Sequence, residues 1–567
     1  MDCFLANRHR TWGHASRWTS AAPNGTEREW PRSIVSIQPH SSGFDAAVIG
    51  LGAAGCWAVK TLTENGLRVV ALDAGRLLSP KDLPRDVTST SHLRKILFGS
   101  KWVQSRSMSF HPRLRHLYVD DKSNPYSTRG GDDFLWIRGR QVGGRLHTWA
   151  RMALRLSEAD FARRDAEGTG PSWPISYEDL APYYDRVETF HGLRGAREGL
   201  AVLPDGKVSE CGELTEAAAL FKHKIEQRWP RRRVIVPRTL RDGIAPIPAP
   251  LQCALATKRL EMITDAPASR ILLNDGGDRA VGVEYVDAQE RKLSTVSADL
   301  VVLCASSIES VRILLHSRMT HRGRGIGNDY DQVGRHVLDH NLVVAAGSTG
   351  DNYRRFVSEL EPRPVRPLDL GSALDFYIPD FSATLEGRSF TRGFGIQGRI
   401  TPPHWSMAAF GEMLAHPDNR VTLSNRKDAF GIPAANISLQ RRRNDLDMIE
   451  AQREQIRTLA DAADLRIEMP LPRLLRTLLW KAVGPKVGVM HLGMAIHETG
   501  GARMGCDPRT SVANSRNQVW GVPNLLVTDG SCFPSSGCQN PTLTIMALTA
   551  RACELAASGT APLSTGD

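Results

Sequence analysis

A glycine triplet near the front of the chain constrains its fold more than any other feature. Residues 44–75 read FDAAVIGLGAAGCWAVKTLTENGLRVVALDAG. The apolar run AAVIG has the composition of a fully buried strand, and a helical pattern starts at the glycines. Gly50, Gly52 and Gly55 give G-x-G-x-x-G. The first glycine permits a tight turn, the second lets backbone approach a pyrophosphate, and the third lets the helix close onto the strand. The helix N-terminus then offers unpaired N–H groups and the positive end of its dipole to the phosphate. A second apolar run, RVVALDAG, ends in Asp73, a carboxylate placed to accept hydrogen bonds from ribose hydroxyls. Strand, glycine turn, helix and strand with a terminal acid predict an α/β, Rossmann-type fold that binds a dinucleotide. The motif alone leaves FAD and NAD both open.

Length and composition narrow the rest. The 567 residues, 41% of them hydrophobic, can bury a large core and suit two or more domains. No stretch approaches the roughly 18 consecutive apolar residues of a membrane span. Residues 1–42 are polar and Arg-containing, lack the apolar run of a secretory signal, and read as a loose tail, with a transit-like segment as the alternative. Nine cysteines, an odd number without a C-x-x-C pair, indicate neither a disulfide framework nor a zinc ribbon. Small buried thiols in a reducing compartment are expected, hence a cytoplasmic protein. The net charge is +11, with arginine clusters at 231–233 and 441–443. No aromatic-interleaved basic module accompanies them, so they read as solvated faces and no nucleic-acid partner is expected. No metal-spaced His/Cys/Asp cluster and no G-x-S-x-G elbow is present.

Further stretches carry a family likeness. They are RGRQVGGRLHTW (138–149), ADLVVLCASSIESVRILLHS (298–317), NRVTLSNRKDAFGIPAANISL (419–439), AIHETGGARMG (495–505) and VPNLLVTDGSCFPSSGCQNPTLTIMALTARA (522–552). With the opening glycines they resemble, in order from about residue 44 to 555, the glucose–methanol–choline (GMC) family of flavoprotein oxidoreductases, most closely its pyranose-oxidising and bacterial sugar-oxidising branch. The resemblance implies FAD, bound in a discontinuous domain at 43–155, 250–345 and 490–567. An inserted α+β substrate domain, an antiparallel sheet flanked by helices, would take 156–249 and 346–489, with the irregular stretch 359–372 on the pocket rim.

The resemblance also assigns residues. His497 aligns with the catalytic base and Asn540 with its partner. Cofactor contacts fall on Gly50, Gly52, Gly55, Asp73, Arg138, Gly143, Gly144, His147, Thr148, Ala268, Ala305, Asp529, Gly530, Pro541 and Thr542. Some sugar oxidases of this branch tether FAD to a histidine immediately before a tryptophan; here Thr148 precedes Trp149 and His147 falls one place early. Non-covalent FAD is therefore expected, with His147 a nearby contact or the alternative tether. Gln397 and Glu412, polar residues in apolar strand-like runs, are candidates for the substrate pocket or a buried network. His340 reads as structural, and His404 as an exposed loop residue.

The chemistry accounts for the pair. Oxidising an alcohol removes a proton from oxygen and a hydride from carbon, which flavin N5 can accept. A neutral alcohol is a poor hydride donor, and neutral imidazole suits removal of its proton near pH 7. An asparagine amide holds the same oxygen without competing for that proton. The simpler alternatives are that His497 bonds a backbone carbonyl and that Asn540 caps the helix opening at Pro541. The expected reaction is oxidation of a CH–OH group of a sugar, glycoside or polyol. A sterol or secondary-metabolite alcohol, or non-redox lyase chemistry, are the alternatives. Oxygen or a quinone-like compound would reoxidise the flavin; oligomeric state is not written in the sequence.

Overall fold

The computed structural model describes residues 43–83, 101–107, 110, 112–130, 132–162, 168–241, 244–317, 324–356, 374–468 and 487–559. The expected tail, 1–42, and the expected pocket rim, 359–372, lie outside them.

The glycine motif folds as its spacing predicts. Strand β1 (Phe44–Ile49) leads through Gly50–Gly52 into helix α1 (Ala53–Glu64), and the chain returns as β2 (Val69–Leu72). The later strands β3 (Leu260–Ile263) and β4 (Lys292–Leu303) and the late strand Val522–Val527 join the same sheet. Within it 522–527, β4, β1, β2 and β3 are parallel neighbours in that order, and Gln518–Val519 adds an antiparallel edge strand beside 522–527. Such strands are covered on both faces, which is why β1 and β2 are apolar almost throughout. α1 packs against the helices Ala249–Ala256 and Thr542–Ala557 on one side. Three stretches far apart in sequence thus share one sheet.

A second, antiparallel sheet is built from β5 (His340–Thr349), β6 (Phe376–Ile378), β7 (Phe394–Thr401), β8 (His404–Glu412) and β9 (Leu465–Ile467), in the order β6–β7–β8–β5–β9. β5 begins inside the stretch 250–345 that the resemblance gave to the cofactor side. Alternation along the strands separates the two faces. Val343, Ala345, Phe394, Ile396, Met407 and Ala409 pack with the helices Glu216–Arg228 and Arg443–Ala462. Leu342 and Phe410 turn the other way, against Ala495. That second face roofs the candidate site.

Every cysteine among the described residues is free. No described helix is long and apolar enough to cross a membrane, and no group of three described His, Cys, Asp or Glu residues could hold a metal ion.

Candidate active site

Parallel register builds the crevice. Ile49 pairs with Leu72 and with Leu303, and Leu303 with Val527, so these strands stop level with one another. The residues that follow emerge together at the carboxyl edge, where α/β sheets bind ligands. The cavity there is lined by Gly50, Gly52, Asp73, Ala305, Asp529 and Gly530. Gly50 takes φ +92°, and a Cβ on it would stand 2.6 Å from the Cys304 carbonyl oxygen. A Cβ on Gly55 would fall 1.7 Å from the Gly50 oxygen, so that glycine seats α1 on its own turn and does not reach the cavity. Asp73 accepts from the Leu51 N–H at 2.8 Å and the Gly75 N–H at 2.9 Å, and burial pushes its carboxyl up to about 6. Asp529 accepts from the Ser531 N–H at 2.9 Å and from both Ser531 and Ser310 hydroxyls, which leaves its backbone and Gly530 to face the cavity.

The residues present fit FAD. At Gly52 an added Cβ would meet nothing within 4 Å, and α1 starts without a side-chain cap or a first-turn acid. Its leading N–H groups are left for an anion. Arg138, Arg140 and Arg312 line the same cavity around one carboxylate, Glu309, which they draw down to about 2 against the cost of burying it. Surplus positive charge of that kind suits a pyrophosphate. The Arg138 guanidinium carbon stands 4.0 Å from the centre of the Trp136 ring, and the side chain donates to the Asn124 carbonyl at 2.6 Å.

The two residues assigned by resemblance to catalysis meet at the other end of this cavity. Backbone hydrogen bonds from Gly500, Ala502 and Met504 to Gly530, Ser531 and Cys532 lay the segment after His497 along the turn before Asn540. Gly500 allows this, because at φ +73° a Cβ on it would stand 2.1 Å from the His336 carbonyl. Asn540 Nδ2 then lies 3.1 Å from His497 Nε2. The helix Thr542–Ala557 opens with no side-chain cap, so the capping alternative for Asn540 is not what the structure contains. His497 Nδ1 lies 2.8 Å from His340 Nδ1, and His340 Nε2 is 2.9 Å from the Gly537 carbonyl. The Phe410 ring packs against both imidazoles, at 5.3 Å from His497 and 6.0 Å from His340. Burial, the neighbouring His340 and the Arg145 guanidinium hold His497 well below the ordinary imidazole range, and burial brings His340 down to about 4. Both rings are neutral at physiological pH.

The remaining expected residues divide. Arg138, Gly144, Thr148, Ala268, Pro541 and Thr542 line the cavity, as does Gln397, which is 7% exposed and whose Oε1 finds no partner among the described residues. Gly143, at φ +90°, lies behind the loop and packs against the His147 ring. His147 is a correction: its Nε2 lies 3.1 Å from the Ala245 carbonyl and it does not line the cavity. Glu412 takes the buried-network alternative: it accepts from Arg392 Nε at 3.0 Å, and Arg392 also reaches Asp160 at 2.8 Å. A buried carboxylate needs such a cation, and that pairing takes Glu412 out of the pocket. His404 is exposed at the start of β8.

Two residues escaped the sequence reading. Arg145 donates to Glu498 at 2.6 Å and to the Ile496 carbonyl at 3.2 Å, bracketing His497 on both sides. Ile496 stands at φ +61°, costly for a β-branched residue, and the clamp holds it there. His340 was read as structural, and nothing local to its own stretch reveals that it faces His497.

A parallel sheet whose carboxyl edge fits a dinucleotide, with a half-buried His–Asn pair beside it under an antiparallel roof, defines a flavoprotein oxidoreductase. Sequence models described as GMC oxidoreductase match residues 44–342 and 415–549, and the chain belongs to that family, whose members bind FAD. Relatives include the 2-methyl-1,2-propanediol dehydrogenase of Mycolicibacterium austroafricanum, 26% identical over 90% of this chain and 94% of its own length. The paromamine 6'-oxidase of Streptomyces fradiae is 27% identical, with 91% of each chain covered. A formate oxidase variant from Aspergillus oryzae RIB40, studied for FAD modification, superposes with a TM-score of 0.64 at 18% identity, covering 92% of this chain and 99% of its own. These solved folds share the FAD-binding Rossmann-type domain and the sheet-rich substrate domain.

Proposed function

We propose that the protein oxidises a CH–OH group of a compact polyol, sugar or glycoside to a carbonyl, with His497 as the base. The observation that carries this is the 3.1 Å approach of His497 Nε2 and Asn540 Nδ2 in the cavity that also contains the glycine turn. FAD, when bound, supplies the acceptor for the hydride that leaves the alcohol carbon. His497 Nε2 takes the hydroxyl proton as that hydride leaves, a contribution worth roughly 10² to 10⁴ in rate. The Asn540 amide holds the same oxygen and has no proton affinity of its own to compete. Phe410, Leu342 and Met494 keep water from the base, while Gln397 offers its amide to a second oxygen of the substrate.

FAD is held non-covalently in this reading, by the glycine turn, Asp73, Arg138 and the 529–530 turn, because Thr148 offers no imidazole at the tether position. The segments 43–155, 250–339 and 490–567 are read as the FAD-binding domain and 156–249 with 340–489 as the substrate domain, the expected boundary at 345 moving back to 340 because β5 belongs to the roof sheet. Relatives named as oxidases and as dehydrogenases both occur, so oxygen and a quinone-like compound are the two acceptors to try. The cysteines among the described residues are all free thiols, which favours the cytoplasm.

The test is the visible absorption of the FAD-loaded protein under anaerobic conditions. 2-Methyl-1,2-propanediol, fructose, gluconate and pyridoxine would be added in turn. One of them bleaches the flavin band, and His497→Ala slows the bleaching by roughly 10² to 10⁴ while keeping the band. A band that none of them bleaches overturns the substrate class, and bleaching undiminished in His497→Ala overturns the base.

A further inference from the structure

We propose that His340 is a positioning residue that fixes which nitrogen of His497 is bare; the proposal rests on the reading of His497 as the base. The Gly537 carbonyl can only accept a hydrogen bond, so His340 Nε2, 2.9 Å away, carries a proton. His340 is neutral, and its Nδ1 is therefore a lone pair. His497 Nδ1 lies 2.8 Å from that lone pair, a distance that requires one proton between them, and it belongs to His497. His497 is neutral as well, so its Nε2 is bare, and this is the nitrogen that meets the Asn540 amide at the cavity. One carbonyl thus sets two ring tautomers in series. An imidazole in water favours the opposite tautomer, with the proton on Nε2, and in that form the nitrogen facing the cavity could not take a proton. When Nε2 does take one, the Nδ1–H of the resulting imidazolium still points at His340 Nδ1, which spreads the charge over two rings. Phe410, packed on both imidazoles, keeps their edges aligned. The role parallels that of the orienting partner in hydrolase triads, where the wrong tautomer costs about 10⁴ in kcat.

The first test needs no substrate, so its failure is separate from failure of the alcohol reading. In FAD-loaded protein labelled with ¹⁵N-histidine, long-range proton–nitrogen correlation reports the tautomer of each ring, and His497→Ala identifies the His497 signals. His497 is expected to carry its proton on Nδ1. His340→Leu removes the acceptor and shifts the proton to Nε2, whereas His340→Asn, with an amide oxygen near the Nδ1 position, keeps it on Nδ1. Bleaching by whichever of the four alcohols bleaches the parent protein gives the second readout. His340→Leu slows it at least about 10²-fold with KM little changed, and His340→Asn stays within about ten-fold of the parent. A proton on Nε2 of His497 in the parent protein overturns the proposal. So does an unchanged tautomer in His340→Leu, or equal slowing in the Leu and Asn variants. Should the Leu variant not fold, the parent and Asn spectra still decide.

Discussion

On the crevice side of the cavity, backbone makes the surface: Gly50 and Gly52 at the turn, the leading N–H groups of α1, the small residue Ala305, and Gly530. On the roof, side chains make it: His340 behind His497, Phe410 against both rings, Leu342 and Gln397 on the same face of the sheet. A backbone surface can be built only where chains approach closely, and it tolerates almost no added atoms. A side-chain surface can be altered one residue at a time without moving the strands that carry it. The first suits a cofactor common to a whole family, and the second suits a substrate that changes from member to member.

The sharpest way to break that contrast is to add one methyl group beneath the glycine turn that carries the crevice side. Gly55→Ala places a carbon 1.7 Å from the Gly50 oxygen, and neither backbone can yield without lifting α1 off its turn. Overpacking of this kind costs about 1–3 kcal/mol or more. The expected outcome is a lower Tm together with loss of most bound flavin, read from the ratio of visible to ultraviolet absorbance. Retention of full flavin would show that the turn is looser than a backbone-built surface should be.

The roof should respond through protonation instead. Burial, His340 and Arg145 all lower the His497 pKa, and a lowered pKa means the neutral base survives to lower pH. The acid limb of kcat/KM is therefore expected below the usual imidazole value of about 6.5. Arg145→Gln removes a positive charge and moves the limb upward. A limb already at 6.5 or above in the parent would mean that His497 is not the titrating group. The smallest effect falls on Gln397→Leu, which keeps the shape and removes one hydrogen-bonding amide. KM should rise about ten-fold with kcat unchanged, the worth of roughly one hydrogen bond. A fall in kcat instead would place Gln397 at the reacting centre.

The same contrast governs how much the sequence revealed. Gly50 through Asp73 form a local pattern, and strand periodicity was enough to place their turn and acid. His497 and Asn540 were found through family spacing. What stayed hidden depends on partners far along the chain. His340 and His497 are 157 residues apart, and Asp160, which shares Arg392 with Glu412, is 232 residues from that arginine, so neither the tautomer relay nor the full buried network leaves a local trace. At His147 and Thr148 the decision turned on one residue of register. The structure turns the histidine to the Ala245 carbonyl and leaves the threonine on the cavity.

The level strand ends have a consequence for how the chain acquires its cofactor during synthesis. The crevice needs Gly50 from near the beginning, Ala305 from the middle and Gly530 from near the end, held together by parallel pairings between β1, β4 and residues 522–527. Contacts this distant in sequence form late, because the loops between them must close first. A nascent chain released before the last strand has its glycine turn but no wall opposite it. Residues 522–530 are thus expected to be needed before the crevice can hold the nucleotide.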